Sequence, residues 1–173
     1  MLRYQTTLSG HTNTVSALEI DRRFYAQLFS CGYDYTVRVW HCGSFTSRIS
    51  DSIGNVVLGS QGSISTPGNG LYSGSGAGNL SQCEHTFQSH KKRVLALRHL
   101  PYCGILASGG ADNSLNLYNI DRKELAFSFR KMHRGAVYSI VSLDRESADS
   151  TKIVTARGDR KIRIIDLKKK GIF

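Results

Sequence analysis

Three times in this chain a histidine is followed four residues later by valine, and then by a Ser or Thr, an Asp and a strand-like segment in one fixed order. The first copy runs Gly10-His11, Val15, Leu18, then Phe29-Ser30-Cys31-Gly32-Tyr33-Asp34 and Val37-Arg38-Val39-Trp40. Another runs Ser89-His90, Val94, Leu97, then Ala107-Ser108-Gly109-Gly110-Ala111-Asp112 and Leu115-Asn116-Leu117-Tyr118. The last runs Met132-His133, Val137, Ile140, then Thr155-Ala156-Arg157-Gly158-Asp159 and Ile162-Arg163-Ile164-Ile165. In each, the Ser or Thr stands four residues before the Asp, and apolar residues follow the Asp at plus three and plus five. A recurring unit of this size means that the chain is built from copies of one supersecondary element, each covering its neighbour's apolar face.

His11 and His90 are 79 residues apart and His90 and His133 only 43, which leaves room for one worn unit between the first two. Ser73-Gly74-Ser75-Gly76-Ala77 followed by Leu80-Ser81-Gln82-Cys83 fits the frame, with Ala77 in the place of Asp and Cys83 in the place of the aromatic. The reference positions Asp34, Ala77, Asp112 and Asp159 then stand at intervals of 43, 35 and 47, and the expected count is four repeats.

The local patterns call for strands. Thr36-Val37-Arg38-Val39-Trp40 and Lys161-Ile162-Arg163-Ile164-Ile165 alternate in side-chain character as half-buried strands do. Gly, Asn, Asp and Ser gather between such segments, where turns need them, and no stretch carries a long apolar stripe at helical spacing. The expected fold is all-β with short connections.

The Gly-His near the start of a unit of about 40 residues, with Trp-His, Cys-Glu, Tyr-Asn or Ile-Asp near its end, resembles the Trp-Asp (WD) repeat. The resemblance covers nearly the whole chain and is carried by the whole frame, since no unit ends in a literal Trp-Asp pair. It implies a β-propeller in which each unit supplies a four-stranded antiparallel blade, here a single domain over 1–173 with blades centred near 11–41, 49–84, 90–119 and 133–166. In this family an N-terminal strand commonly completes the last blade, and residues 2–8 are the candidate. Four blades are fewer than the family's usual seven, so an open or partial propeller that pairs with another chain or a second copy is expected.

His, Ser or Thr, and Asp in each unit superficially spell a hydrolase triad, starting with His11, Ser30 and Asp34. A catalytic site occurs once, whereas this set recurs with the blades. The resemblance implies a buried hydrogen-bond network instead: His11, Ser30, Asp34 and Trp40 in the first unit; His90, Ser108, Asp112 and Tyr118 in the third; and His133, Thr155 and Asp159 in the fourth, where Ile165 has no polar group to offer. The glycine-rich run from Gly68 to Gly78 has neither the lysine of a phosphate loop nor a helix after it, and reads as strand and turn of the worn unit. Residues 44–67, rich in Ser, Gly and Thr, read as surface loops.

Composition bears on partners. With 23 Lys+Arg against 13 Asp+Glu the net charge is +10, and the excess gathers in Lys91-Lys92-Arg93, Arg130 to Arg134, Arg157 to Arg163 and Lys168-Lys169-Lys170. Several of these flank the histidine and Asp turns, which in the resembled fold share one rim. Lys91, Lys92, Arg134, Arg157, Arg160 and Lys161 are therefore candidate contacts, with Asn13, Tyr33 and Tyr35 beside them. Such a rim attracts RNA or acidic proteins by steering and counterion release, although no aromatic-rich nucleic-acid motif accompanies it. Two functions follow: a non-catalytic scaffold that assembles other proteins on its rim and loops, or a basic RNA-associated propeller within a ribonucleoprotein. No unique nucleophile or carboxylate pair is left over for an enzyme, and no cofactor is called for. Cys31, Cys42, Cys83 and Cys103 form no CxxC pair and no metal cluster with the histidines, which points to a reducing, intracellular setting, cytoplasmic or nuclear. There is no apolar run long enough to span a bilayer and no charged-then-apolar leader, so membrane association is not expected.

Overall fold

The computed structural model describes residues 7–21, 27–41, 83–130, 134–143 and 152–168. Among them every regular element is a strand, apart from one 3-10 turn at Pro101–Cys103 closed by Gly104 in the left-handed conformation. The first sheet is β1 (Val15–Ile20), β2 (Gln27–Gly32), β3 (Val37–His41) and β4 (Cys83–Phe87); the second is β5 (Val94–Leu100), β6 (Ile105–Gly110), β7 (Leu115–Asn119) and β8 (Glu124–Phe129). The third is β9 (Val137–Ser142), β10 (Lys152–Arg157) and β11 (Ile162–Asp166). All neighbours pair antiparallel in chain order, as a meander of short strands joined by tight turns must. The architecture is that of a partial propeller.

The repeat frame survives as strand register. Ser30 stands between Leu18 and Arg38, Ser108 between Leu97 and Asn116, and Thr155 between Ile140 and Arg163. A register shift falls near the start of the first strand in all three sheets, at Val15/Ala17, Val94/Ala96 and opposite Ala156/Arg157.

Period-two alternation sorts the core into two layers. Phe29, Cys31, Val37, Val39 and Phe87 of the first sheet pack on Val94, Leu97, Leu106, Tyr118 and Ile120 of the second. The alternate residues Ala96, Ile105, Ala107, Leu115 and Leu117 pack on Val137, Ile140, Ile153, Ile165 and Leu167 of the third. The second sheet is thus covered on both faces, and all of β6 is buried. Small residues in β6 allow this approach: a Cβ at Gly109 would lie 2.5 Å from Val137 Cγ1. Each fully buried aliphatic side chain contributes roughly 1.5–3 kcal/mol, so these two layers are the main stabilising term.

The two outer faces of the stack carry exposed apolar residues, with Leu18 61% exposed at one end and Ile162 75% exposed at the other, beside Val141 and Ile164.

Among the described residues there are three sheets. The worn unit expected near 49–84 falls largely on residues outside them, as do Cys42 and the segment 44–67. Its last residues are described, however, and they depart from expectation. Cys83 and Glu84 do not close a blade of their own but begin β4, the outer strand of the first sheet, where Cys83 pairs with Trp40 and Phe87 with Val37. The physical reason is the unpaired edge that β3 would otherwise present. Glu84 fixes the strand there, accepting from Lys123 Nζ at 2.8 Å and Gln27 Nε2 at 3.2 Å, and Phe87 stacks on Tyr118 with centroids 4.3 Å apart. Of the segment 2–8 expected to complete the last blade, residues 2–6 lie outside the described residues, and Thr7 and Leu8 belong to no strand.

Candidate functional site

In the first two sheets the segment entering the first strand folds against the turn between the second and third. Tyr33 N donates to Thr14 O at 2.8 Å, and Ala111 N to Arg93 O at 2.8 Å. This brings each histidine over the turn carboxylate. His11 Nδ1 lies 2.8 Å from Asp34 Oδ2, and its Nε2 2.6 Å from Ser30 Oγ. Trp40 Nε1 donates to the same Ser30 Oγ at 2.7 Å. An imidazole protonated on Nδ1 satisfies all three contacts: His11 donates to Asp34, Ser30 donates to His11, and Trp40 donates to Ser30.

The second sheet repeats the chain. His90 Nδ1 lies 3.0 Å from Asp112 Oδ2, His90 Nε2 2.7 Å from Ser108 Oγ, and the Ser108 and Tyr118 hydroxyls are 3.4 Å apart. The tyrosine contact is longer than the indole contact it replaces. Each carboxylate also collects donors that sequence reasoning missed: Thr36 Oγ1 and Thr12 N on Asp34, Ser114 Oγ and Lys91 N on Asp112. The signal was present, since a Ser or Thr stands two residues after the first two aspartates, and Lys161 takes that place in the third. Burial pushes the Asp112 carboxyl up, but the hydrogen bonds from His90, Ser114 and the Lys91 amide outweigh it and hold the group far below the usual carboxylate range; Asp34 is lowered in the same way. Ser30 is 2% exposed and Ser108 fully buried. Their hydroxyls are occupied on both sides by network partners.

The third sheet is wired differently. His133 lies outside the described residues. Thr155 Oγ1 accepts from Arg157 Nε at 3.4 Å, and Asp159 Oδ2 accepts from Arg163 Nη1 at 2.7 Å. Two arginines thus meet the hydroxyl and carboxylate that a single histidine joins in the other sheets. The difference coincides with a change at one position, glycine in the first two sheets. A Cβ at Gly110 would lie 2.6 Å from both His90 Nδ1 and Asp112 Oδ1, and at Gly32 it would lie 3.2 Å from His11 Nδ1. Arg157 occupies the corresponding position in the third sheet. Arg157 was expected as a rim contact; it is buried. Its place in the frame, two residues after Thr155, faces inward in every sheet, and charge alone did not reveal this.

The remaining candidates share one end of the stack. Lys91, Lys92, Arg134, Arg160, Lys161 and Asn13 are exposed, and Tyr35 is 47% exposed. Tyr33 is half-buried beneath Arg93, whose guanidinium carbon stands 4.9 Å from the ring centroid, a cation–π contact between the first two sheets. Tyr35, Asn113 and Arg160 each follow the turn aspartate and all adopt positive φ, at 69°, 65° and 61°. Only asparagine tolerates that region readily, so the sequence marks one of the three positions and hides two. Gly158 N donates to Ala136 O at 3.1 Å, which sets Arg134 beside the 158–160 turn as Lys91 is set beside 111–113. The rim is therefore basic in the second and third sheets and aromatic in the first.

Among the described residues no three His, Cys, Asp or Glu side chains gather as a metal site would require. Cys31 and Cys83 are free thiols, and burial pushes the Cys31 thiol up to about 11. No helix among the described residues is long and apolar enough to cross a membrane.

The family model for the WD domain, G-beta repeat, matches residues 2–41 and 81–119. The chain belongs to the WD-repeat family. The second match begins at 81, so it takes in the strand that completes the first sheet together with the whole frame of the second. Among curated proteins, the chain is 30% identical over 164 residues to WD repeat-containing protein 1 of Xenopus tropicalis, an alignment covering 86% of this chain and 26% of that protein. It is 30% identical over 97 residues to the U5 small nuclear ribonucleoprotein 40 kDa protein of Dictyostelium discoideum, covering 54% of this chain and 26% of that protein. The chain thus spans about a quarter of the length of both relatives. WD repeats are generally non-catalytic and mark a protein-interaction scaffold.

Proposed function

We propose that this WD-repeat chain is a non-enzymatic scaffold that assembles other proteins on the rim formed by its histidine and aspartate turns. The observation that carries the reading is the division of polar groups in the first two sheets. Those able to do chemistry, Ser30, Ser108, His11 and His90, are consumed inside the sheets, while Tyr35, Lys91, Lys92, Arg134, Arg160 and Lys161 stand exposed at one end. Enclosed hydroxyls bonded on both sides do not reach a substrate, whereas an exposed aromatic beside cations is what protein interfaces are rich in. The setting is intracellular, where Cys31, Cys83 and Cys103 remain thiols.

The open apolar faces at Leu18 and at Ile162 and Ile164 support a further proposal, that the stack is continued by another sheet from a partner chain or a second copy. Molar mass in solution tests the second-copy arm: a dimer supports it and a monomer sinks it.

The basic rim and the ribonucleoprotein relative favour a second reading, in which the partner is RNA. Replacing Tyr35 by a photo-crosslinking phenylalanine derivative in cells separates the two. Polypeptide adducts at this rim are expected. Adducts with RNA alone would replace the scaffold by the ribonucleoprotein reading, and a position yielding neither would overturn the rim as a contact surface. Binding of a single-stranded RNA oligonucleotide is the companion measurement, because contact with several phosphates weakens steeply as salt rises.

A further inference from the structure

Arg157 is 6% exposed, and its Nη1 and Nη2 are buried with no hydrogen-bond partner among the described residues. Nε is used, on Thr155 Oγ1, so the planar group is held by one edge while the other edge meets no acceptor. The Asp159 carboxylate in the same turn accepts from Arg163 instead. Arg163 adds a second positive charge nearby, and burial together with that charge pushes Arg157 down to about 10, which leaves it cationic at neutral pH. An enclosed guanidinium with one edge lacking an acceptor is among the costlier arrangements in a protein interior. The first two sheets avoid it with a glycine at the same position. The third sheet carries this cost directly beneath the turn of Gly158, Arg160 and Lys161, all exposed.

A guanidinium edge with two parallel N–H donors matches a group presenting two oxygens at fixed spacing. We propose that Arg157 is the receptor of a small-oxyanion site at the rim of the third sheet, taking a phosphate or carboxylate group in bidentate fashion with Arg163 contributing charge. Asp159, held by Arg163, keeps the local charge from growing too positive and sets a preference for a small anion over a polyanion. The site stands apart from the scaffold reading, since it needs no protein partner.

The test is thermal melting and titration calorimetry of the 173-residue chain in sodium phosphate and in sodium acetate, each against sodium chloride at equal ionic strength. A saturable rise in melting temperature of a few degrees, with one anion bound per chain, is expected in at least one arm, and the responding arm identifies the oxyanion. Arg157→Gly, which restores the residue of the other two sheets, should abolish the response. Arg157→Lys keeps the charge without the fork and should weaken binding roughly tenfold. Should Arg157→Gly fail to fold, Arg157→Met, with a similar stem and no donors, serves in its place. An unsaturable rise, no rise in either arm, or a rise equal in parent and variants overturns the site, because general salting effects do not depend on one buried side chain.

Discussion

Arg98 of the central sheet reaches Glu19 of the first, with Nη1 3.4 Å from Oε1, while its Nη2 donates to Ser142 Oγ of the third sheet at 2.8 Å. One side chain on β5 therefore ties together the first strands of all three sheets, the strands through which neighbouring sheets meet. A second tie runs from Ser16 Oγ to Val94 O at 2.5 Å.

Arg98→Met, which keeps much of the stem and removes the donors, is expected to cost about 1–2 kcal/mol, since it leaves Glu19 and Ser142 without their shared partner. Glu19→Gln breaks only the half-exposed ion pair and should cost less than about 1 kcal/mol. Denaturant unfolding of the two variants measures this order, and equal costs would show that the link to Ser142 contributes nothing.

The blade networks lead to a sharper expectation. His11→Ala leaves Ser30 and Asp34 without the imidazole that joins them and should destabilise the first sheet by about 1–3 kcal/mol. Trp40 is the chain's only tryptophan, so its fluorescence reports the first sheet directly. Earlier melting by that signal in His11→Ala, with a smaller effect from Ser16→Ala, is the expected pattern. A fluorescence transition unchanged from the parent would remove the network from the stability argument.

The turn tips offer a prediction of opposite sign. Tyr35 holds a φ of 69° that L-residues with bulky side chains pay for, while Asn113 holds the same place in the second sheet at little cost. Tyr35→Asn is expected to raise stability by up to about 1 kcal/mol while removing the exposed ring from the rim. Calorimetric melting checks the first effect and crosslinking at Lys92 on the same rim the second; a drop in stability would mean that the ring is held by contacts worth more than the strain.

Much of this fold was readable in the chain because its information is repeated. The spacing from Ser30 to Asp34, from Ser108 to Asp112 and from Thr155 to Asp159 reappears as register, and the apolar residues at plus three and plus five became the third strand of each sheet. What could not be read was long-range. Residues 41–82 separate Trp40 from the Cys83 with which it pairs, and no local pattern tells a strand which edge it will join. Arg157 was misjudged for a related reason: its charge argued for the surface, whereas its register placed it inside. Predicting that required knowing that Gly32 and Gly110 sit against the imidazoles, a fact of packing that sequence spacing carries only once the frame is seen in three dimensions.

The depressed carboxylates give the chain an acid limit with a definite sign. Asp112 has a folded pKa below the ordinary value of about 3.9 that it takes in the unfolded chain. The unfolded state therefore binds the proton more readily, the stabilisation is fully present above about pH 4, and it is lost as pH falls through the folded value. Asp34 acts in the same direction. Asp112→Asn should be destabilised relative to the parent at pH 7, and the gap should close as pH is lowered below about 4, because the parent loses what the variant never had. Urea midpoints taken from pH 7 down to pH 2.5 measure that convergence. Parallel curves at every pH would mean that the cost of the substitution lies in the shape of the turn and not in the charge that His90, Ser114 and the Lys91 amide hold in place.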